Sequence, residues 1–152
     1  LAGLQDSNIF IANRDLRSRF KDELERCGTG LVNIMGLVAC QAAYAGGEAW
    51  LEDLKSYLTG NLSFLREFIR TRIPGIRLVE PQGTYLVWLD FRALHMDDQA
   101  LDGFIIRRAK LWLDAGTMFG QGGNGFQRVN IACPRSILAQ AFEQLEQAIK
   151  SM

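Results

Sequence analysis

The stretch from Gly116 to Arg135 contains a glycine-rich loop. Apart from Arg135 at its end, its single charged residue is Arg128. The run around Arg128 alternates as a β-strand does, which predicts that Val129 and Ile131 point to one face and Arg128 with Asn130 to the other. A guanidinium is planar and permanently charged, and it binds a carboxylate or phosphate through two parallel hydrogen bonds. Arg128 is therefore interpreted as an anion receptor. The alternative is a solvated arginine on a sheet face, because surface charges usually contribute little.

The same stretch also contains a GxGxxG pattern, the motif of dinucleotide-binding sites, at Gly120, Gly122 and Gly125. That motif functions after a strand and at the start of a helix, because the amides of the helix N-terminus hold the pyrophosphate. The residues that follow, 126–132, are predicted to form a strand instead. Nucleotide binding is therefore set aside.

The other reactive side chains do not form a catalytic pattern. His95, the only histidine, lies in a loop-like segment without a serine or cysteine nucleophile pattern nearby. Tyr85 and Trp88 alternate along a predicted strand and are expected in the core or in a pocket wall. The lysines lie at helical or helix-end positions beside other charges, where no lowered amine pKa is expected: Lys21, Lys55, Lys110 and Lys150. No nucleophile or base is predicted.

Helices are predicted in the first half of the chain. A short apolar run, 9–12, has strand character, and Asn13 then caps a helix that Gly28 ends. A second helix from Asn33 to Ala45 carries so many small residues that it is expected to pack closely on several sides.

After Gly46 and Gly47, a stripe of leucines predicts one much longer helix, from about Glu48 to Arg72. At 1.5 Å per residue it is about 37 Å long, which is typical of a connection between two lobes. Gly60 marks a point where this helix could bend.

Strands are predicted from Pro74 onward. Residues 76–79 and 84–90 are expected to pair as a hairpin, and Asp97 or Asp98 to cap the helix that follows.

A third strand is predicted at 111–113, and the glycine loop, the Arg128 strand and a last helix capped by Ser136 complete the chain. The order of two strands, a helix, two strands and a helix predicts a two-layer α+β lobe.

Composition and charge narrow the class of protein. The 152 residues are 48% apolar and 22% charged, which is ordinary for a globular chain. Lys plus Arg equals Asp plus Glu at 17 each, so neither nucleic acid nor a membrane is expected as a partner. Three cysteines, an odd number without metal-ligand spacing, favour a reducing compartment, and the protein is assigned to the cytoplasm without a metal site.

Four segments resemble one known family in order and spacing. They are LAGLQ, GLVACQAAYAGGEAWL, PQGTYLVWLDFR and GTMFGQGGNGFQRVNIACPR. The resemblance is to the C-terminal part of pyridoxal-phosphate enzymes of fold type I. Within these, the chain is most similar to the MalY/PatB group of cystathionine β-lyases, or carbon–sulfur lyases, which are related to class I/II aminotransferases. The resemblance extends over essentially the whole chain.

The resemblance implies an α/β fold in three parts. These are a remnant of the large cofactor-binding domain (1–46), a long interdomain helix (47–73) and a small α+β C-terminal domain (74–152). It also implies that Arg128 binds the substrate α-carboxylate. The Schiff-base lysine is expected about four positions before Leu1, so that no catalytic residue is expected in this chain. The residues that contact the cofactor are not assigned.

The resemblance further implies what the complete enzyme does. With pyridoxal phosphate it would carry out α,β-elimination on a sulfur-containing L-amino acid such as cystathionine, giving pyruvate, ammonia and a thiol. The parent is expected to be a homodimer with a small amino-acid substrate, and the chain alone is expected to be inactive. Transamination is the alternative within the family. A non-catalytic α+β binding module is the alternative from another class.

Overall fold

A computed structural model of the protein describes residues 2–152, and Leu1, the first residue of the predicted large-domain remnant, lies outside the described residues. The chain divides into two compact units, Leu1–Asp53 and Leu54–Met152. The helices are α1 (Arg14–Cys27), α2 (Ile34–Gly46), α3 (Glu48–Arg72), α4 (Asp98–Gly103) and α5 (Arg135–Lys150). The strands are β1 (Arg77–Val79), β2 (Leu86–Asp90), β3 (Asp114–Ala115) and β4 (Phe126–Asn130).

Local caps explain where the helices of the first unit begin and end. The side chain of Asn13 accepts hydrogen bonds from two amides in the first turn of α1, and Gly28 ends this helix in the left-handed conformation, with φ of 65°. Both features confirm the sequence prediction. Asn33 caps α2 in the same way by accepting a 2.7 Å hydrogen bond from the amide of Gly36.

The prediction of a strand at 9–12 is wrong. These residues have no regular secondary structure, and the described residues of the first unit contain no strand that could pair with them. An apolar run forms a strand only where a neighbouring strand accepts its backbone hydrogen bonds, and β-propensity does not provide that neighbour.

The long helix α3 has the predicted bounds and runs without interruption through Gly60. It begins in the first unit and ends in the second. A Cβ atom at Gly60 would lie 3.0 Å from Nη2 of Arg135, so the glycine leaves room for that guanidinium. The predicted bend at Gly60 stays a prediction.

The second unit contains one antiparallel sheet with strand order β1-β2-β4-β3. β1 and β2 form the predicted hairpin, with Leu78 opposite Leu89. β4 lies between β2 and β3, so the strand that carries Arg128 is a central strand. The third strand is Asp114–Ala115 and not residues 111–113 as predicted, because the register with β4 places the hydrogen-bonded pairs after the apolar run.

Helices cover one face of this sheet, which confirms the predicted two-layer α+β lobe. Val87 of β2 pairs with Val129 of β4, and both are buried. The second half of α3, together with α4 and α5, packs on this face. The edge-to-face contact of Phe68 with Phe142, with ring centroids 5.8 Å apart, joins α3 to α5. The buried apolar residues of these helices include Leu65, Ile69, Leu101, Phe104, Ile105, Leu138 and Leu145.

The last helix begins two residues earlier than predicted and has a different cap. Pro134 occupies the N-cap position of α5, where no side chain provides a capping hydrogen bond, and Ser136 lies inside the first turn. The backbone amide of Arg135 donates instead to the hydroxyl of Tyr57 on α3, at 2.8 Å. A tertiary contact thus satisfies an amide at the start of this helix, where the sequence predicted a local cap. No helix within residues 2–152 is long and apolar enough to cross a membrane.

Candidate functional site

The central strand β4 places Arg128 on the sheet face opposite the helices. Gln127 and Val129 are buried on the helix side, and Arg128 lies between them on the other side with 26% of its side chain exposed. The predicted alternation, with Val129 and Ile131 inside, is confirmed. The guanidinium is therefore half-buried and its backbone is fixed by strands on both sides, which is the environment in which charge-assisted hydrogen bonds are strong.

Asp114 contacts Arg128 from the neighbouring strand β3. The two residues are directly opposite in the antiparallel register, and both Nε and Nη2 of Arg128 donate to Oδ2 of Asp114, at 3.0 and 2.7 Å. None of the described residues accepts a hydrogen bond from Nη1. One edge of the guanidinium is therefore held by the protein, and the other edge retains its donors.

An aromatic ring packs against the face of the same guanidinium. The central carbon of the Arg128 guanidinium lies 4.4 Å from the centre of the Phe119 ring, within the range of a cation–π contact. Phe119 in turn meets Trp88 edge to face, with ring centroids 5.2 Å apart. Trp88 is the cross-strand neighbour of Arg128 on β2. The guanidinium thus has an aspartate at one edge and an aromatic pair beside it.

The glycine loop brings Phe119 to this position. Its backbone folds into two short 3₁₀ turns, Gly116–Phe119 and Gln121–Gly123. A Cβ atom at Gly116 would lie 2.0 Å from the carbonyl oxygen of Gly123, so the two turns approach each other too closely for any side chain there. Gly120 and Gly125 have φ of 107° and 76°, values that favour glycine. The loop leads into β4 and not into a helix, which agrees with setting the GxGxxG pattern aside.

A cavity of about 300 Å³ shares two lining residues, Trp88 and Phe119, with the surroundings of Arg128. Tyr85 and Trp88 were expected in the core or in a pocket wall. Trp88 does form part of the wall of this cavity. Tyr85 is 41% exposed and does not line it. The lining residues are Val79, Trp88, Phe119, Gly122, Gly123 and Phe126. A wall of this apolar character suits an apolar part of a small ligand.

The other candidate groups lie apart from this arrangement. His95 is exposed and follows the short 3₁₀ turn Arg92–Leu94 with φ of 54°. Burial raises the pKa of the Cys133 thiol, which disfavours the reactive thiolate form. The described part of the chain contains no group of His, Cys, Asp or Glu residues arranged to hold a metal ion.

None of the four lysines lies in a buried position in this structure. A Schiff-base lysine is desolvated in its pocket, whereas all four lysine side chains of this chain are exposed: Lys21, Lys55, Lys110 and Lys150. The expectation that the Schiff-base lysine lies outside this chain stays a prediction.

The sequence-based analysis missed Asp114 as a partner of Arg128. The signal was an aspartate at the end of an apolar run and directly before the glycine loop. Its pairing with Arg128 depends on the register of β3 against β4, and the loop length alone does not fix that register.

Comparisons with known proteins show which chains this one is similar to. Cystathionine β-lyase PatB of Bacillus subtilis is 35% identical over 149 residues, which cover 98% of this chain and 38% of the relative. Protein MalY of Escherichia coli is 36% identical over 143 residues, which cover 93% of this chain and 37% of the relative. No family model matches the chain.

A solved structure matches closely as well. Cystalysin from Treponema denticola, which contains a pyridoxal 5′-phosphate cofactor, superposes with a TM-score of 0.95 at 36% identity. The match covers 99% of this chain and 38% of cystalysin. The chain spans less than two fifths of the length of these relatives. The resemblance found in the sequence is thereby confirmed: the chain matches the C-terminal portion of pyridoxal-phosphate enzymes of fold type I and is similar there to the MalY/PatB group.

Proposed function

We propose that this chain is the substrate-carboxylate-binding segment of a pyridoxal-phosphate-dependent carbon–sulfur β-lyase. The complete enzyme carries out α,β-elimination on a sulfur-containing L-amino acid such as cystathionine and releases pyruvate, ammonia and a thiol. The observation that supports this role most directly is the half-buried guanidinium of Arg128, whose Nη1 has no acceptor among the described residues. A relative named cystathionine β-lyase that matches nearly the whole chain supports the reaction type.

In this proposal Arg128 binds and orients the substrate. When bound, pyridoxal phosphate accepts the electrons left on the α-carbon after its proton is removed. Arg128 grips the α-carboxylate through two N–H donors, and this fixes the position of the α-carbon and the direction of its remaining bonds. Phe119 and the strand backbone exclude water from one side of the guanidinium, and this strengthens the ion pair with the substrate.

The proposal extends to the organisation of the complete enzyme. Residues 1–46 belong to the large domain, 47–73 form the interdomain helix and 74–152 the small domain. The long helix at 48–72 supports the proposed interdomain helix, whereas the two compact units divide inside this helix, after Asp53. The complete enzyme is a cytoplasmic homodimer that acts on a small amino acid.

Transamination is the main alternative, and it predicts the same contact at Arg128. A product assay on the complete enzyme separates the two reactions, because elimination from cystathionine releases pyruvate and ammonia whereas transamination requires a 2-oxo acid as acceptor. A non-catalytic binding module would release neither product and would transfer no amino group.

Substitution of Arg128 tests the role of this residue in the complete enzyme. Removal of a charge-assisted grip on the carboxylate in Arg128→Ala is expected to cost about 1.5–3 kcal/mol, or roughly a 10- to 150-fold loss of kcat/KM. Arg128→Lys should restore little, because an ammonium does not present two parallel donors. Steady-state kinetics with a sulfur amino acid measures both effects.

The control for this experiment uses a second substrate and a second arginine. An amine analogue without the α-carboxylate should be a poor substrate for the wild type and lose little further in Arg128→Ala, so that the two losses are non-additive. Arg70→Ala removes an arginine that is 72% exposed and paired with Glu67, and it should leave kinetics unchanged. Unchanged kcat/KM in Arg128→Ala would show that Arg128 is only a surface charge.

A further inference from the structure

The guanidinium of Arg128 has two edges that can each bind a carboxylate, and the protein itself occupies one of them. The side edge consists of Nε and Nη2, and both donate to the same oxygen, Oδ2 of Asp114. The end edge consists of Nη1 and the second hydrogen of Nη2, and none of the described residues accepts from Nη1. A planar guanidinium whose side edge is fixed presents its end edge in one direction only.

Asp114 is held in place by the sheet and not by its own side-chain packing. It lies in β3, directly opposite Arg128 in the antiparallel pair, where facing side chains are about 4.5–5.5 Å apart at Cβ. Gly116 follows two residues later and makes the close backbone approach to Gly123 that shapes the loop. The position of the carboxylate is therefore set by the same backbone that places Phe119 against the guanidinium.

Two roles are compatible with an aspartate at this position. As a competitor, Asp114 would have to leave the guanidinium before a substrate carboxylate binds, and its removal would strengthen substrate binding. As a positioning group, it would stay in place and limit the rotation of the guanidinium. Two observations favour positioning: Asp114 uses only the side edge, and the Phe119 ring at 4.4 Å restricts the plane of the guanidinium from its face.

We infer that Asp114 is a positioning residue that fixes the side edge of Arg128, so that its end edge is directed at the α-carboxylate of the substrate. This inference rests on the proposed role of Arg128 in substrate binding. It also identifies the ligand geometry: the substrate carboxylate lies end-on to the guanidinium, at Nη1 and Nη2, while Asp114 remains bound at Nε. A group that is ordered before the substrate arrives loses less side-chain freedom on binding.

Kinetics of the complete enzyme tests this inference. Asp114→Ala is expected to raise KM for a sulfur amino acid roughly 3- to 10-fold, with kcat changed by less than about twofold, because the guanidinium must then be ordered by the substrate itself. Asp114→Asn keeps an oxygen that accepts from Nε, and it should recover most of the affinity. The amine analogue without the α-carboxylate should respond to neither substitution.

Two controls separate positioning from general damage. Glu67→Ala removes a carboxylate that accepts from Nε and Nη2 of Arg70 on the exposed surface of α3, and it should leave KM unchanged. In an Arg128→Ala background, Asp114→Ala should have no further effect, since the group that it positions is gone. If Asp114→Ala does not fold, Asp114→Ser removes the carboxylate with a smaller change in polarity and has the same expected KM.

The possible outcomes distinguish this inference from the proposed function. A lower KM in Asp114→Ala would identify a competitor and overturn the positioning role, and equal losses with the amine analogue would identify a purely structural role. A large effect of Arg128→Ala with no effect of Asp114→Ala would refute the inference alone. An unchanged Arg128→Ala would refute the proposed function and the inference with it.

Discussion

At the scale of single residues, two aspartates of the second unit hold arginines in different ways. Asp114 is 40% exposed and contacts only one edge of Arg128, which leaves donors for a ligand. Asp90 is 9% exposed, and it accepts from the amide, Nε and Nη2 of Arg92 and from Nη2 of Arg77. These hydrogen bonds join Asp90, Arg92 and Arg77, and we call the three residues the Asp90 cluster. We interpret this cluster as structural.

The Asp90 cluster supports the end of the glycine loop. The side chain of Arg92 stacks on Phe126, with the guanidinium carbon 4.8 Å from the ring centre. A Cβ atom at Gly125 would lie 2.5 Å from Cγ of Arg92, so the arginine packs directly over this glycine. The backbone of Phe91 also donates to the carbonyl of Gly125 at 2.9 Å. The start of β4 is thereby fixed two residues before Arg128.

Asp90→Asn should weaken the fold in a pH-dependent way. Hydrogen bonds from Arg92, with the charge of Arg77, lower the pKa of Asp90 from 3.8 to about 2 in the folded state. Because the folded pKa is lowered, the stabilisation is complete above about pH 4 and is lost as the pH falls towards 2. We expect Asp90→Asn to cost about 2 kcal/mol at pH 7, and the difference from wild type to shrink towards pH 2.

Denaturant unfolding at several pH values between 2 and 7 measures this difference. Asp22→Asn, at an exposed position of α1, serves as the control and should have little effect at any pH. A stability difference for Asp90→Asn that does not change with pH would contradict the assignment.

At the scale of elements, α3 holds the segment that follows β4. Asn61 is fully buried, and its Nδ2 donates to the carbonyls of Ile131 and Cys133 at 2.8 and 3.0 Å. Its Oδ1 accepts from Nε of Arg135 at 2.7 Å. The amide of Asn61 thus joins the long helix to the segment between β4 and α5, and Gly60 provides space for the guanidinium of Arg135.

Gly60→Ala should have opposite effects with and without Arg135. In an Arg135→Ala background the substitution is expected to stabilise the fold by about 0.5–1 kcal/mol, because alanine is the better helix former. With Arg135 present, the new Cβ atom would lie 3.0 Å from Nη2 and the gain should be lost. A double-mutant cycle measured by denaturant unfolding gives the coupling between the two positions. Equal effects of Gly60→Ala in both backgrounds would contradict the proposed packing.

At the scale of the whole molecule, the chain contains a half-buried arginine but no buried lysine among its described residues. The second unit contains the half-buried Arg128, which we propose as the receptor for the substrate carboxylate, whereas the lysines of both units are exposed. Specific covalent binding of pyridoxal phosphate requires a desolvated lysine. Orientation of the substrate is therefore the task that we assign to this chain.

The chain alone should bind no pyridoxal phosphate at a specific site and should eliminate nothing from cystathionine. We expect exposed lysines to react weakly and without saturation, because their amines are hydrated. Absorbance titration with pyridoxal phosphate and a pyruvate assay measure the two quantities. Saturable binding of one equivalent together with pyruvate release would contradict this prediction.

Much of the local structure could be predicted from the sequence, because its causes are local. Asn13 and Gly28 set the bounds of α1 by capping and backbone conformation, and both act within a few residues of the helix end. The period-two pattern around Arg128 predicted which side chains of β4 face the core, since alternation is a property of the strand itself. The family resemblance rests on such local strings as well.

Tertiary structure alone decided the contacts that depend on register and on distant neighbours. The pairing of Asp114 with Arg128 required the alignment of β3 with β4, and the loop sequence does not specify that alignment. Ser136 was predicted to cap α5, but the helix begins at Arg135, and Tyr57 on α3, distant in sequence, provides the acceptor for the Arg135 amide. The apolar run 9–12 was predicted as a strand, and it forms none because a strand requires a hydrogen-bonded partner as well as propensity.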